Sequence, residues 1–230
     1  LTLLDHDVFR LFVRPGEIVE VRIMGIDGKR MVLSGYYEDH DAFSKVIHEA
    51  NRRKHGGAYF TLQVIDPRLI ARSYNRIKPS DLTTSDKDVV AYRWLPIDID
   101  PMRPAGISSS DSELQEALAL RDPVAAWLTT ELGFPDPITA MSGNGGHLLF
   151  RLPDWPVNDE NKAIIKGILE DVSKRFSTDK VKIDTTVFNP ARIWKLYGTT
   201  ARKGDPVPGN EYREARPHRM SYIDDLGGAA

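Results

Sequence analysis

Between Leu95 and Asp100 the chain reads Leu-Pro-Ile-Asp-Ile-Asp, with apolar and acidic residues taking turns at its end. A strand's two-residue period puts both carboxylates on one face and Ile97 and Ile99 on the other. The surrounding residues extend this predicted strand from Val89 to Asp100. Upstream, Val19 to Met24 and Arg30 to Gly35 predict a hairpin turning at Asp27-Gly28. A helix is predicted over Asp41 to Arg53, where Phe43, Val46, Ile47 and Ala50 form one apolar stripe. Gly56-Gly57 stops it before a strand from Ala58 to Ile65, and Asp66-Pro67 opens a short helix toward Asn75-Arg76. The polar stretch from Lys78 to Lys87 predicts a loop or subdomain boundary.

Beyond Asp100, Pro101, Pro104 and Gly106 predict an irregular loop. Ser110 with Glu113 three residues later forms a capping box for a helix to about Arg121, and Asp122-Pro123 starts another that Gly133 closes. Ile138 to Met141 and His147 to Leu152 read as strands flanking a glycine-rich turn. Asn158 caps a helix with Ile164, Ile165, Ile168, Leu169, Val172 and Phe176 at helical spacing. Strands at Ile183 to Phe188 and Ile193 to Tyr197 follow, and the Pro-, Gly- and charge-rich tail from Asp205 to Ala230 is expected to be irregular. The pattern predicts an α/β protein of the α+β kind, with helix-backed mixed sheets whose strand order the pattern leaves open.

Composition narrows the class only slightly. The 230 residues, 41% hydrophobic and 28% charged, can bury a substantial core as one large or two small domains. The absence of cysteine excludes disulfides, thiolate zinc sites and iron–sulfur clusters and fits a reducing cytoplasm. No apolar run reaches the ~18 residues of a membrane span, so no membrane partner is expected and the expected location is cytoplasmic. A start at Leu1 without Met and an end at Gly-Gly-Ala-Ala predict a domain cut from a longer protein. Net charge is −2, so any nucleic-acid surface must be local; Pro190 to Gly204 carries Arg192, Lys195, Arg202 and Lys203 and no acid.

Asp98 and Asp100, held side by side, repel, and the cheapest remedies are a proton or a divalent cation of the Mg²⁺ or Mn²⁺ kind. An Asp-x-Asp strand end is equally compatible with solvated surface, and Asp184 before Thr185-Thr186 reads by itself as a turn residue. In Ser142-Gly143-Asn144-Gly145-Gly146-His147 the glycines permit close approach of backbone N–H groups, and the expected guest is a phosphate. Ser142 and His147 can each donate a hydrogen bond to it; the alternative is a plain hairpin with a surface histidine. Arg192 and Lys195, three apart, point to opposite faces of a regular strand and share a ligand only if a bulge or strand end intervenes. Arg202 and Lys203 are either contacts to a nucleic-acid backbone or a solvated loop. Arg52-Arg53-Lys54-His55 reads as a helix C-terminus complementing its dipole. Trp94, Trp127, Trp155 and Trp194 read as packing, and Asp5-His6-Asp7 as surface at a frayed end.

Taken in order, the Asp98-Ile99-Asp100 strand, the Ser142 to His147 segment and Ile183-Asp184 resemble the three motifs of the archaeo-eukaryotic primase superfamily. The likeness continues through Phe188 to Thr199 and Arg202-Lys203-Gly204, which is similar to phage and plasmid primase-polymerases. It includes Ala58 to Gln63, where an Asn is usual in place of Gln63, and spans roughly residues 15 to 204. The resemblance implies an N-terminal α/β module over about 1–88, an RRM-like module over about 89–204 and an active-site cleft between them, with 205–230 as a tail. It implies DNA-templated nucleotidyl transfer, primer synthesis or strand extension, with two divalent ions on Asp98, Asp100 and Asp184. Nucleotide contacts fall to Ser142, Gly143, Asn144, Gly145, His147, Arg192 and Lys195, and nucleic-acid contacts to Arg76, Arg202 and Lys203. Implied partners are a single-stranded DNA template and primer, deoxy- or ribonucleoside triphosphates, and a helicase or a further helical domain. A nucleotide-sugar glycosyltransferase would use the Asp-x-Asp pair but leaves His147, Asp184 and the Arg192 segment without a role. A non-catalytic nucleic-acid module would be expected to have lost the acids. A nuclease could direct water with the same two ions.

Overall fold

The structure, a computed structural model, describes residues 5–25, 31–53 and 56–229. The Asp27-Gly28 turn and the Lys54-His55 end of the basic run lie outside the described residues, as do the side chains of Asp5, His6 and Asp7. In chain order the first elements are α1 (Asp5–Phe12), β1 (Val19–Met24), β2 (Val32–Tyr37), α2 (His40–Arg52), β3 (Gly57–Thr61), β4 (Val64–Ile65) and β5 (Lys78–Pro79). Then come β6 (Val89–Pro101), α3 (Asp111–Ala119), α4 (Arg121–Leu132), β7 (Ile138–Met141), β8 (Gly146–Pro156) and α5 (Asp159–Phe176). The chain closes with β9 (Val181–Ile183), β10 (Ile193–Lys195), β11 (Thr200–Ala201), β12 (Arg219–Met220) and β13 (Tyr222–Asp225).

Among the described residues these strands build one sheet in the order β10-β3-β1-β2-β5 and a second in the order β13-β7-β8-β6-β4, with β9 pairing the far end of β6 and β11 pairing β12. The α+β class is as expected, and the pairings between these strands are antiparallel. The sheets exchange segments along the chain: β4 joins the second sheet, and β10 returns to the first.

The helices follow their sequence signals. Asp39 caps α2 by accepting from Ala42 N–H at 2.8 Å, and Phe43, Val46, Ile47 and Ala50 are buried. The Ser110–Glu113 capping box is formed, Gly133 ends α4 in the left-handed conformation at φ 70°, and Asn158 caps α5. The helix α1 has no counterpart in the sequence reading; its Val8, Phe9 and Phe12 are buried, and the Phe9 ring packs 5.1 Å from that of Phe43.

Several strand expectations change at their ends. The predicted Ala58 to Ile65 strand breaks at Leu62-Gln63, because β3 and β4 belong to different sheets. The Ile183 to Phe188 strand stops after Ile183, and the tail expected to be irregular contributes β12 and β13, the latter pairing with β7.

Gln63 explains how the long strand β6 keeps its course. Its side-chain oxygen accepts from the N–H groups of Arg93 (2.7 Å) and Trp94 (3.0 Å), and its amide nitrogen donates to Trp94 O at 2.8 Å. This edge of β6 is paired to β4 only through Ala91 and to β9 only from Ile99 onward, so the Gln63 amide fills a gap in the ladder. Pro96, which has no N–H to offer, falls in the same gap. The buried Leu95, Ile97 and Ile99 occupy the opposite face from Asp98 and Asp100 and join the core with Ala117, Val124, Leu128, Ile165 and Leu169 of the helices.

Candidate active site between the two sheets

A cavity of about 360 Å³ lies where the C-terminal end of β6 meets β3 and β10. Asp98 and Asp100 project from β6, and His147 stands directly across from Asp98 in the β6–β8 ladder. Asp184 follows β9; its N–H donates to Asp98 O at 2.9 Å, so the third acid is tied to the first through the backbone. A side-chain oxygen of Asp184 accepts from Thr186 N–H at 2.8 Å. From the other sheet come Tyr59 and Lys195, paired across β3 and β10. Arg192, just before β10, also lines the cavity, with Arg202 and Lys203 beyond β11. Because Arg192 sits at the strand end, it and Lys195 reach the same space despite their odd spacing. Arg76 is exposed and does not line this cavity.

The carboxylates differ in their surroundings. Burial pushes Asp98 up, but the hydrogen bond and charge of His147, with Lys203 and Arg192, outweigh it and hold the carboxyl below its usual range. Asp100 is pushed up, first by burial and then by the charge of Asp98, against the opposing charges of Lys203 and Arg103. Arg103, which the sequence reading did not single out, is nearly buried and lies 3.6 Å from an Asp100 oxygen while donating to the carbonyls of Pro101 and Ile107. Among the described residues no three acids or imidazoles converge into a complete ion shell. The two hard carboxylates of Asp98 and Asp100, which repel each other, nevertheless suit a Mg²⁺ or Mn²⁺ ion that takes its remaining ligands from water and substrate phosphates. The residues fit such an ion on that ground.

His147 is held from both sides. Its Nδ1 lies 2.8 Å from Tyr197 OH, and its Nε2 lies 3.4 Å from Asp98. Trp194 Nε1 donates to the same Tyr197 oxygen at 2.8 Å, and the Trp194 ring packs 4.2 Å from the imidazole. The Tyr197 hydroxyl and the Trp194 ring hold the imidazole so that Nε2 faces Asp98. Burial pushes the Tyr197 hydroxyl up, keeping it protonated. Trp194, expected as packing, therefore also supports the site, and Tyr197 is a site residue the sequence reading missed.

The glycine-rich turn works differently from the expectation. Ser142 Oγ accepts from the N–H groups of Asn144 (3.3 Å) and Gly145 (2.9 Å) and donates to Gly145 O. Gly143 N–H meets Met141 Sδ, and the Asn144 side chain accepts from Ser109 N–H at 2.9 Å. The N–H groups of Gly143, Asn144 and Gly145 are thus satisfied within the turn, which supplies shape instead of free donors. That shape needs its glycines: Gly143 has φ 99°, and a Cβ on Gly145 would stand 2.4 Å from Ile99 O and 2.9 Å from an Asp100 oxygen.

Lys195 is 8% exposed, and burial, reinforced by the charges of Arg202 and Lys203, pushes its amine down to about 7. Arg192 donates to Thr186 O and Oγ1, and its Nε is buried without an acceptor. Asn51, at the end of α2, donates to Gly198 O at 2.6 Å and accepts from Thr200 N–H at 3.0 Å, fixing the turn that leads to Arg202 and Lys203. Three acids and four basic side chains thus share one cavity, a charge layout suited to a polyanion accompanied by cations.

No family model matches the chain, and no curated protein sequence matches it. Among solved structures, it is similar to the polymerase domain of Mycobacterium tuberculosis Ligase D in complex with DNA, at 12% identity and a TM-score of 0.48, over 94% of this chain and 78% of that one.

Proposed function

We propose that this cavity is the active site of a DNA-templated nucleotidyltransferase, a primase-polymerase that starts or extends strands from nucleoside triphosphates. The observation that carries the reading is the meeting of Asp98, Asp100, His147, Asp184, Arg192 and Lys195, from four separated stretches of chain, around one cavity. Their order along the sequence is also that of the primase motifs they resemble.

In this reading the triphosphate lies against Lys195 and Arg192. Lys195 has no acid partner among the described residues, and an arriving phosphate supplies the counter-charge that burial withholds. His147 donates from Nε2 to Asp98 and to a phosphate oxygen, and Tyr197 fixes the orientation of the ring. Asp98, Asp100 and Asp184 would hold the divalent ions, which when bound neutralise the phosphates and lower the pKa of the attacking 3′-hydroxyl. The hydroxyl oxygen bonds to the α-phosphorus as pyrophosphate leaves. Arg202 and Lys203 meet the template or primer backbone at the rim, each as one salt-sensitive phosphate contact.

The test is incubation of primed and unprimed single-stranded DNA with Mn²⁺ and labelled deoxy- or ribonucleotides, with Asp98→Ala,Asp100→Ala run beside the wild type. Templated products from the wild type alone are expected. Strand cleavage without synthesis would replace the reading with a nuclease, and sugar transfer from a nucleotide sugar without nucleotide incorporation would replace it with a glycosyltransferase.

A further inference from the structure

A second cavity, of about 320 Å³, opens beside the C-terminal end of α1 and is lined by Arg10, Arg14, Arg93, Trp94 and Arg151, among others. It shares no lining residue with the cleft. Arg93 is 2% exposed and bonds Glu17 through both terminal nitrogens at 2.5 Å and Asp154 at 2.7 and 2.9 Å. Asp154 also receives Arg14 at 2.9 Å and stands 3.6 Å from Arg151. Arg10 is exposed and makes no ion pair among the described residues. Among the described residues, four guanidinium groups are therefore served by the two carboxylates of Glu17 and Asp154, an excess of two positive charges at the wall of one cavity.

A purely architectural ion-pair cluster would be expected to balance. This one does not, and the imbalance is felt: Arg151 is pushed down by its burial and then by the charges of Arg93 and Arg14. Its guanidinium lies 5.1 Å over the Trp94 ring, which orients it at the cavity wall. Asp154, the carboxylate shared by three arginines, sits at φ 54°, a left-handed backbone that is uncommon for a non-glycine residue. Strain of this kind is concentrated at ligand-binding positions.

We propose that this arginine cavity binds a phosphomonoester dianion, at a site separate from the cleft and independent of the nucleotidyltransferase reading. A phosphomonoester carries close to two negative charges at neutral pH, which matches the excess, whereas a phosphodiester carries one. Guanidinium forks suit its oxygens by two-point hydrogen bonding. Its source is either a small phosphate ester or the phosphorylated end of a nucleic-acid strand.

Calorimetric titration of the full chain at pH 7.5 and constant ionic strength tests this with adenosine monophosphate and with a short DNA strand carrying either a terminal phosphate or only hydroxyl ends. Saturable binding of the phosphorylated probes is expected, weakened at least tenfold in Arg10→Gln,Arg151→Gln and retained in Arg192→Gln,Lys195→Gln. Arg10→Gln alone, which removes no ion pair among the described residues, should show a smaller loss in the same direction and guards against misfolding of the double variant. Binding of adenosine monophosphate as tight as that of the phosphorylated strand identifies a small ester, and preference for the strand identifies a nucleic-acid end; both support the site. Equal binding of the hydroxyl-ended strand, binding unaffected by Arg10→Gln,Arg151→Gln, or no saturable binding would overturn it.

Discussion

Replacing Gly145 with alanine should separate the glycine turn from the acidic end of β6. The added Cβ would stand 2.4 Å from Ile99 O, a backbone atom within β6, where ordinary contact begins at 3.4 Å. The turn must therefore retreat by about 1 Å, and a misplacement of about 1 Å in a positioned site costs about 10²-fold in rate. Overpacking of this kind costs about 1–3 kcal/mol of stability, equivalent for a chain of this size to a fall in Tm of about 2–12 °C. The assay is kcat/KM for nucleotide incorporation together with Tm by calorimetry. Gly167→Ala is the matched control: it lies in α5 with nothing within 4 Å of the added Cβ, so activity should be unchanged and the helix stabilised by about 0.5–1 kcal/mol. A Gly145→Ala protein with wild-type kcat/KM and wild-type Tm would refute the close-approach argument.

Lys195 has its folded pKa depressed from 10.5 to about 7, so the folded state binds fewer protons than the unfolded one between those values and stability rises with pH there. Lys195→Met should raise Tm most at or below pH 7, with the gain vanishing near pH 10.5; a gain independent of pH would contradict the assignment. Tyr197→Phe leaves Trp194 Nε1 and His147 Nδ1 without their partner and should cost about 1–3 kcal/mol in urea unfolding while impairing nucleotide use. Unchanged nucleotide kinetics in that variant would remove the positioning role. Asp100→Asn removes the carboxyl that burial and Asp98 push up, so in the metal-free protein its Tm at pH 7 should equal or exceed that of the wild type, while the rise in Tm that Mn²⁺ gives the wild type should be diminished. A similar Mn²⁺ response in both proteins would place the ion elsewhere.

The parts of this fold that were legible in sequence are those with local causes. Capping residues Ser110, Glu113 and Asn158 and the stripe from Phe43 to Ala50 act within one helix, and the Asp98 and Asp100 alternation acts within one strand. What was not legible depends on partners far away in the chain. The strands β4 and β9 are two and three residues long, too short for periodicity to bound, and exist because β6 offers them an edge. Tyr197 gave no signal because its hydroxyl meets His147 only once β10 has crossed to the first sheet. Motif order singled out Asp98, Asp100, Asp184 and His147, which line one cavity. The inward bonding of the glycine turn was not legible, because Ser142 competes locally for the same N–H groups only once the turn has closed. The excess charge around Arg93 was invisible because Glu17, Arg93 and Asp154 are far apart in sequence.

Nucleotide and divalent ions are proposed to meet between Asp98, Asp100, Arg192 and Lys195. The decisive experiment is anomalous diffraction from a crystal grown with Mn²⁺, a non-hydrolysable nucleoside triphosphate and a short primed template. Manganese peaks bound by Asp98 and Asp100, with the triphosphate against Lys195 and Arg192, are expected. Manganese peaks away from these acids, or a triphosphate bound outside this cavity, would contradict the proposal.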